Sequence, residues 1–405
     1  MSSHAPGTIL EVNAGPHDRK NAVVTWTCDG GCDCDAGHAL YELDADGSKG
    51  ARVPCQCESD CGCEGDECEG GCGEFTWIVA EMKAGETKRY IIGANADDCG
   101  CACSCGCGGD EPQGVSIEIT PGEKADIFVG GELFTTYNVK DVVRPYCYPV
   151  IGPGGAEITE CAKRDHPHHR SMYVAQGEVN GVNNWDEGEG HAWTVNQELI
   201  VLSEGPVYAD LLAINDWVTP DKSQGILQEI TRIRVYNLPN CCRYMDWDIT
   251  WAAMYGGVHL GDTKEAGTLS VRMIESAHVI NGGTIQNSWG GDGEEECWGK
   301  RAEWVDYYGP LASGVGGLTI MDYPENPGYP THWHVRGYGL FTANQWGVHD
   351  FTGDWAKRGD ENMELGDALN WQFRVYIHAG DTCAAGVKGR YVDFVYPPKV
   401  SVVEG

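Results

Sequence analysis

The sequence contains no long apolar run and few basic residues. No stretch of about 18 apolar residues is present, so we predict no membrane-spanning helix. Lys and Arg total 28 against 61 Asp and Glu, which gives a formal net charge of −33. Nucleic acids and anionic membranes bind clustered Lys and Arg, so this balance disfavours both as partners. The acidic balance favours a small-molecule or glycan substrate, and it is compatible with a homo-oligomer.

The first residues, "MSSHAPGTILEVNAGPHDRK", also lack the basic, apolar and small-residue regions of a secretory signal peptide. On this ground we expect a cytoplasmic protein. Disulfide bonds among the cysteines would instead indicate an extracellular protein, because disulfides persist in oxidising compartments.

Cysteine is scarce over most of the chain and concentrated near its beginning. Of the 20 cysteines, 14 lie between Cys28 and Cys107. They fall in two inserts, residues 28–73 and 97–110, whose Gly- and Cys-rich composition cannot build an apolar core. We therefore predict that both inserts are long loops on a small β-sandwich formed by residues 1–125.

The spacing of these cysteines suggests metal binding. Cys-x-Cys pairs place two sulfur atoms near one point, which suits Zn²⁺ or Cu⁺. The candidate ligands are Cys55, Cys57, Cys61, Cys63, Cys68, Cys72, Cys99, Cys101, Cys103, Cys105 and Cys107. No spacing matches a single-zinc signature, and disulfide-braced inserts are the alternative.

Long amphipathic helices are absent from the pattern of residues 126–405. Short runs rich in β-branched and aromatic residues alternate there with turn residues, as in "KADIFV", "QEITRIRVYNL", "WQFRVYIHAG" and "RYVDFVYP". Without helical stretches there are no βαβ units. We predict an all-β fold in which a large antiparallel β-sandwich, residues 126–405, follows the small one.

Seven segments of the large domain carry more polar residues than a β-core needs. Among them are "RPYCYPVIGPGG", "DHPHHRSMYVAQGEVNGVNNW", "GDTKEAG" and "YPENPGYPTHWHVRGYGLFTANQWG". In order and spacing these segments resemble the PmoA-like family of bacterial proteins, named "methane oxygenase PmoA", over roughly residues 125–395. The resemblance implies a β-sandwich of the galactose mutarotase type, with histidines that face a sugar-sized cleft. The family name implies an oxygenase.

Two of these segments are rich in histidine. "DHPHHR" contains His166, His168 and His169, and "THWHVRGYG" contains His332 and His334. Side chains alternate along an extended strand. His166 and His168 would therefore share one face of their strand, and His332 and His334 would share one face of theirs. Imidazoles carry protons near neutral pH, and we predict that both segments line one cleft with these histidines as its catalytic residues.

The predicted substrate-binding residues are those that can pair with hydroxyls, cover a sugar ring or hold a carboxylate. They are Arg170, Glu178, Asn180, Trp185, Asp262, Lys264, Arg301 and Arg336. A metal site in the large domain is an alternative, because three imidazoles with Glu178 or Asp262 would be ordinary ligands for Zn²⁺ or Fe²⁺.

The leading functional hypothesis is a carbohydrate-active enzyme, an epimerase, lyase or hydrolase, that works by histidine acid/base chemistry. A non-catalytic carbohydrate-binding or surface-assembly protein, with loops braced by disulfides or metal, is the alternative. A metal-dependent oxygenase is the third hypothesis.

Overall fold

The computed structural model describes residues 7–27, 38–59, 73–94 and 114–403. The chain divides into two compact units, each discontinuous in sequence. One comprises Met1–Ser116, Ser203–Ala209 and Lys388–Gly405, and the other comprises Ile117–Leu202 and Asp210–Val387.

The first unit is a small β-sandwich. Its strands are β1 (Ile9–Asn13), β2 (Arg19–Thr27), β3 (His38–Leu43), β4 (Lys49–Val53), β5 (Cys55–Ser59), β6 (Gly73–Met82), β7 (Thr87–Ala94) and, at the end of the chain, β26 (Lys399–Val403). A five-stranded sheet has the order β26-β1-β7-β3-β4, and a three-stranded sheet has the order β2-β6-β5. Both sheets contribute to one core, where the rings of Trp77 and Tyr90 lie 5.5 Å apart.

Part of the first cysteine-rich insert is strand, so the prediction of a loop over residues 28–73 is wrong for residues 38–59. Cys55 and Cys57 on β5 lie opposite Trp77 and Phe75 and pack against the apolar core. Burial raises the pKa of the Cys55 thiol to about 12, whereas metal ligation requires a thiolate. The other predicted cysteine ligands lie outside the described residues: Cys61, Cys63, Cys68, Cys72, Cys99, Cys101, Cys103, Cys105 and Cys107.

The remaining strands of the described residues lie wholly or mostly in the second unit. They are β8 (Val115–Thr120), β9 (Lys124–Val129), β10 (Glu132–Asn138), β11 (Tyr146–Val150), β12 (Met172–Gln176), β13 (Trp193–Ser203), β14 (Tyr208–Val218), β15 (Gly225–Tyr236), β16 (Cys242–Ala252), β17 (Val258–Leu260), β18 (Ala266–Arg272), β19 (Thr284–Asn287), β20 (Trp304–Leu311), β21 (Gly314–Asp322), β22 (Trp333–Val335), β23 (Leu340–Ala343), β24 (Glu361–Met363) and β25 (Ala368–Ala379).

These strands form two eight-stranded sheets, in the orders β22-β23-β18-β12-β11-β10-β9-β8 and β13-β14-β15-β16-β25-β21-β20-β19, and a small pair β17-β24. The large sheets face each other, since Asn215 of one donates to the Tyr137 hydroxyl of the other at 3.1 Å. Trp251 packs within about 5 Å of Trp217 and Trp371 in the interior. The predicted all-β fold with a large antiparallel sandwich is confirmed.

Helices are few and short among the described residues. They are α1 (Glu294–Cys297), α2 (Val348–Thr352) and α3 (Val387–Val395). The prediction that "RYVDFVYP" is a strand is wrong, because its first six residues belong to α3. The buried positions Val387, Arg390 and Asp393 of this helix recur every three residues. The buried carboxylate of Asp393 pairs with Arg390 at 3.0 Å and with Arg19 at 3.2 Å. In the described part of the chain, no helix has the length and apolarity to span a membrane.

Candidate functional site

The two histidine segments meet at one edge of the sheet that contains β12, β18 and β23. "DHPHHR" leads into β12, and Tyr338 lies in the turn between β22 and β23. Arg272 ends β18, which lies between β12 and β23, so antiparallel pairing brings all three segments to the same edge. The backbone of Arg272 donates to Ser171 at 2.7 Å and pairs with Leu340. We call the group formed by Asp165, His166, His169, Arg272 and Tyr338 the histidine site.

Turns occupy residues 164–165 and 167–168, so the expected alternation of side chains along a strand is wrong here. The amide of His169 donates to the carbonyl of His166 at 3.1 Å, with Pro167 in the second position of the turn, which its fixed φ favours. The rings of His166 and His169 stack 4.7 Å apart, and that of His168 lies edge-on to His169 at 4.5 Å. The three imidazoles therefore form one cluster instead of occupying two faces.

Tyr338 joins this cluster from the second histidine segment. Its ring stacks on His166 at 4.6 Å. On the inner side, the ring of Trp185 lies 5.9 Å from His169, and Trp185 is fully buried. It therefore supports the cluster and offers no exposed face for a sugar ring.

Arg272 holds the acidic side of the site together. It is 2% exposed and donates to Glu160 at 3.0 Å, to Asp165 at 2.7 Å and toward the Nδ1 of His169 at 3.3 Å. Burial alone would raise the pKa of Asp165, but hydrogen bonds from His166 and Arg272 outweigh it and hold that pKa well below its usual range. Burial would also raise the pKa of Glu160, but hydrogen bonds from His278 and Arg272 outweigh it and lower that pKa. Both carboxylates are ionised at neutral pH.

His166 is oriented by Asp165 and remains accessible. An ionised carboxylate only accepts, so the Nδ1 of His166 donates to the Oδ2 of Asp165 at 2.8 Å. In the neutral ring this leaves the lone pair on Nε2. The side chain is 32% exposed. A base held in one tautomer by a carboxylate is an arrangement suited to proton transfer.

A cavity of about 600 Å³ adjoins this pair, the size of a small-molecule site. It is lined by Glu160, Lys163, Arg164, Asp165, Arg272, Glu275, His278 and Tyr338. Two of the lining residues, Asp165 and Tyr338, contact the ring of His166. The cavity therefore lies beside the oriented imidazole.

The other predicted catalytic histidines lie on or next to β22. The Nδ1 of His334 donates to the carbonyl of Lys264 at 2.7 Å, and its Nε2 is buried without a hydrogen-bond partner among the described residues. Burial lowers the pKa of His334 to about 4. The Nδ1 of His332 donates to the carbonyl of Gly299 at 2.9 Å, and the rings of both histidines lie near Phe351, as expected for one face.

More buried polar atoms without a partner within the described residues lie near the same edge. They include the Tyr173 hydroxyl on β12 and the Trp185 indole nitrogen, and the rings of these two residues lie 5.7 Å apart. Each such atom costs about 1–3 kcal/mol unless a hydrogen bond satisfies it.

Two predicted arginines are engaged elsewhere in structural contacts. Arg170 forms a bidentate ion pair with Glu187, in which Nε donates to Oε1 at 2.7 Å and Nη2 donates to Oε2. Arg301 donates to the carbonyls of Gly328, Tyr329 and Pro330. The hydrogen-bonding groups that would anchor a substrate in the predicted cleft are thus used within the fold.

Three further predicted residues belong to a polar cluster around β17 and β24. Asp262 is buried, and its carboxylate accepts from the Nδ1 of His349 at 2.7 Å. Asn180 accepts from the amide of His259 at 2.7 Å, and Glu178 lies 4.0 Å from the ring of His259. These contacts stabilise the loops of the cluster.

The remaining two predicted residues lie near Tyr338. Lys264 pairs with Glu265 at 2.9 Å, and Arg336 pairs with Glu294 at 2.8 Å. Arg336 and Glu265 both act electrostatically on the Tyr338 hydroxyl. Both predicted residues are partly exposed.

Sequence reasoning missed Arg272, Tyr338 and the orienting role of Asp165. Arg272 had a detectable signal, since it is the one charged residue in the run "GTLSVRM", which otherwise reads as a strand. Buried charges in such runs are almost always paired, which points to a site with carboxylates. Nothing in the pattern indicated which carboxylates these would be.

The described residues contain no group of three or more His, Cys, Asp and Glu arranged to hold a metal ion. The carboxylates proposed with the imidazoles as ligands, Glu178 and Asp262, instead contact His259 and His349.

The buried histidines predict a pH dependence of stability. Burial, together with neighbouring positive charge, lowers the pKa of His169 to about 2, and that of His334 is about 4, against 6.5 in the unfolded chain. At a pH between the folded and the unfolded pKa of a histidine, the unfolded chain binds a proton that the folded chain does not. The free energy of unfolding therefore falls as pH falls below about 6.5, by about 1.4 kcal/mol per pH unit for each histidine.

We expect His169→Asn to remove one of these two contributions, because asparagine keeps an acceptor for Arg272 but does not titrate. Urea unfolding between about pH 6.5 and pH 4 measures the slope for both proteins. An identical slope in the variant and the wild type would show that His169 is not held neutral in the fold.

The model of a family of unknown function, DUF6807, matches residues 124–391. No curated protein has a matching sequence. The chain is similar to a protein in glycosyl hydrolase family 38 from Enterococcus faecalis, with 9% identity, a TM-score of 0.44, and coverage of 100% of this chain and 48% of that one. It is also similar to an alpha-mannosidase from Enterococcus faecalis V583, with 10% identity, a TM-score of 0.46, and coverage of 98% and 46%.

The chain thus spans about half the length of these two proteins, and at such TM-scores no function is transferred from either. The resemblance of the polar segments to the PmoA-like family stays a prediction.

Proposed function

We propose that this chain, which belongs to the family of unknown function DUF6807, is a carbohydrate-active enzyme that transfers a proton on a sugar. The observation that supports this most is the chain of contacts Arg272–Asp165–His166 beside the 600 Å³ cavity. Asp165 fixes the proton on Nδ1 of His166, so Nε2 is the atom that accepts a proton. The ionised carboxylate then stabilises the imidazolium that forms.

The step that fits these groups best is removal of a proton from a carbon next to a carbonyl or carboxylate. The proton goes to Nε2 of His166, and the electron pair of the C–H bond moves toward the adjacent oxygen. Lys163 and Arg164 line the cavity and supply positive charge for this oxygen. Delivery of a proton to the opposite face, from solvent or after the intermediate turns over in the cavity, gives an epimer. Loss of a leaving group with its electron pair from the next carbon gives an elimination product.

Hydrolysis of a glycosidic bond fits less well. A glycoside hydrolase needs one carboxylic acid that keeps its proton at the working pH. The two carboxylates bound to Arg272, Glu160 and Asp165, both have lowered pKa values. Neither is suited to that role, so we place an epimerase or a lyase before a hydrolase.

The proposal is tested by solvent exchange. Purified protein is incubated in D₂O with keto-sugars, hexuronates and aldohexoses, and proton NMR follows the signal of the carbon-bound hydrogen. We expect deuterium to enter at least one sugar at the carbon next to the carbonyl or carboxylate. Binding of sugars by calorimetry without exchange into any of them would instead support the non-catalytic carbohydrate-binding alternative.

A further inference from the structure

A second cavity, of about 730 Å³, lies beside helix α1. It is lined by Asn287, Trp289, Gly290, Gly291, Glu295, Glu296, Lys300 and Arg301. Trp289 is 71% exposed, so most of its indole is available to a ligand. A single exposed apolar residue needs no explanation, but an indole that lines a cavity with charged groups has the composition of a binding site. We call this the Trp289 cavity.

The loop that carries Trp289 is held by its own hydrogen bonds. The side-chain oxygen of Asn287 accepts from the amides of Trp289 at 3.0 Å and Gly291 at 2.9 Å. Gly290 has a φ of +82°, a conformation that glycine adopts without strain. Ser288 is bound on both sides, by the carbonyl of Trp304 and by the Glu303 carboxylate. The backbone that carries the indole is thus held in place, which lowers the entropy that the loop loses on binding.

The charged groups of the Trp289 cavity are balanced. Glu295 and Glu296 supply two carboxylates, and Lys300 and Arg301 supply two cations. Within the described residues, the side chains of Glu295 and Lys300 have no ion pair or hydrogen bond. A cavity without net charge suits a neutral ligand that both donates and accepts hydrogen bonds. A pyranose ring does this with its hydroxyls and packs its apolar face on an indole.

The Trp289 cavity is connected to the histidine site through α1 and β22. Glu294, next to Glu295 in α1, accepts from Arg336 at 2.8 Å and from the amide of Gly337 at 2.7 Å. Gly337 directly precedes Tyr338 of the histidine site. On the other side, the carbonyl of Lys300 accepts from the amide of Trp333 on β22 at 3.1 Å. Residues of the Trp289 cavity are thus neighbours in the chain of residues that contact the turn carrying Tyr338, which places the cavity on the same side of the fold as an extended ligand of the histidine site would use.

We propose that the Trp289 cavity binds a pyranose ring of a neutral oligosaccharide whose other end reaches the histidine site. This rests on the proposed function and makes the substrate an oligosaccharide. The indole of Trp289 covers the ring face, and Glu295 and Lys300 pair with its hydroxyls.

Calorimetry with cellotetraose, maltotetraose and mannotetraose tests this inference on the wild type and two variants, Trp289→Ala and Trp355→Ala. Trp355 is a matched control, because it is 74% exposed, packs on His349 and does not line the cavity. We expect the wild type to bind at least one tetrasaccharide. Trp289→Ala should weaken that binding about tenfold or more, and Trp355→Ala should change it less than about twofold.

Failure of the wild type to bind any of the three tetrasaccharides overturns the inference, as does equal affinity in Trp289→Ala or an equal loss in both variants. Circular dichroism verifies that the variants are folded. Calorimetry reports binding without turnover, so the outcome is separate from the exchange experiment: tetrasaccharide binding that depends on Trp289 can be found even if no sugar exchanges its hydrogen.

Discussion

His166→Asn is expected to lower the rate of deuterium incorporation by about 10²–10⁴-fold, the range that general acid/base groups contribute. The reason is that Nε2 of His166 is the proton acceptor and asparagine has no basic nitrogen. The variant should remain folded, because the His166 side chain is 32% exposed and stacks on Tyr338 without entering the main core. Proton NMR in D₂O measures the rate.

His259→Asn is the matched control for this substitution. His259 is also partly exposed, with its side chain 40% accessible and its Nδ1 bonded to Asn362 at 2.9 Å, but it belongs to the cluster around β17 and β24. We expect its exchange rate to equal that of the wild type. Comparable rates in His166→Asn and the wild type would remove His166 from the reaction.

Arg272→Met is expected to lower the free energy of unfolding by about 3–5 kcal/mol, as removal of one partner from a buried ion pair does. The substitution leaves the carboxylate of Glu160, whose side chain is 4% exposed, without its main cation. It also removes the donor that positions Asp165 and the cation that lies 4.9 Å from the Tyr338 ring. Urea unfolding at neutral pH measures the change.

Arg358→Met tests whether loss of any arginine has this effect. Arg358 pairs with Asp360 at 2.7 Å, and its side chain is 48% exposed. It also lies 3.6 Å from the buried carboxylate of Asp262, but that carboxylate keeps its hydrogen bonds from His349 and the amide of Gly359. Surface ion pairs contribute little to stability, so we expect the midpoint of urea unfolding to stay close to that of the wild type. A loss in Arg272→Met no greater than that in Arg358→Met would contradict the structural role assigned to Arg272.

The strand pattern in the sequence was sufficient to predict the all-β fold, because alternating and short apolar runs directly reflect burial in a sheet. It failed at α3, where the buried face includes Arg390 and Asp393. When buried positions of a helix are polar, the pattern of hydrophobic residues does not show the helical period. Burial of these charged residues is tolerated because they pair with each other. The same limitation placed residues 38–59 in a loop, since cysteine at positions 55 and 57 suggested metal ligation more strongly than core packing.

The candidate site was predicted in part. The three histidines at residues 166–169 directed attention to a segment that contributes to the histidine site, because imidazoles suit proton transfer near neutral pH. The turn around Pro167, and hence the gathering of the rings, depends on hydrogen bonds that a strand pattern does not encode. Arg272 and Tyr338 reach the site only through the pairing of β12, β18 and β23, which is a property of the topology.

The most direct measurement is a nitrogen-15 NMR spectrum of the His166 ring, recorded with and without a sugar that exchanges its hydrogen. We predict that Nδ1 carries the proton that is hydrogen-bonded to Asp165, and that the resonance of Nε2 shifts when the sugar is added. An Nε2 resonance that does not respond to a sugar undergoing exchange would place the reaction elsewhere in the molecule.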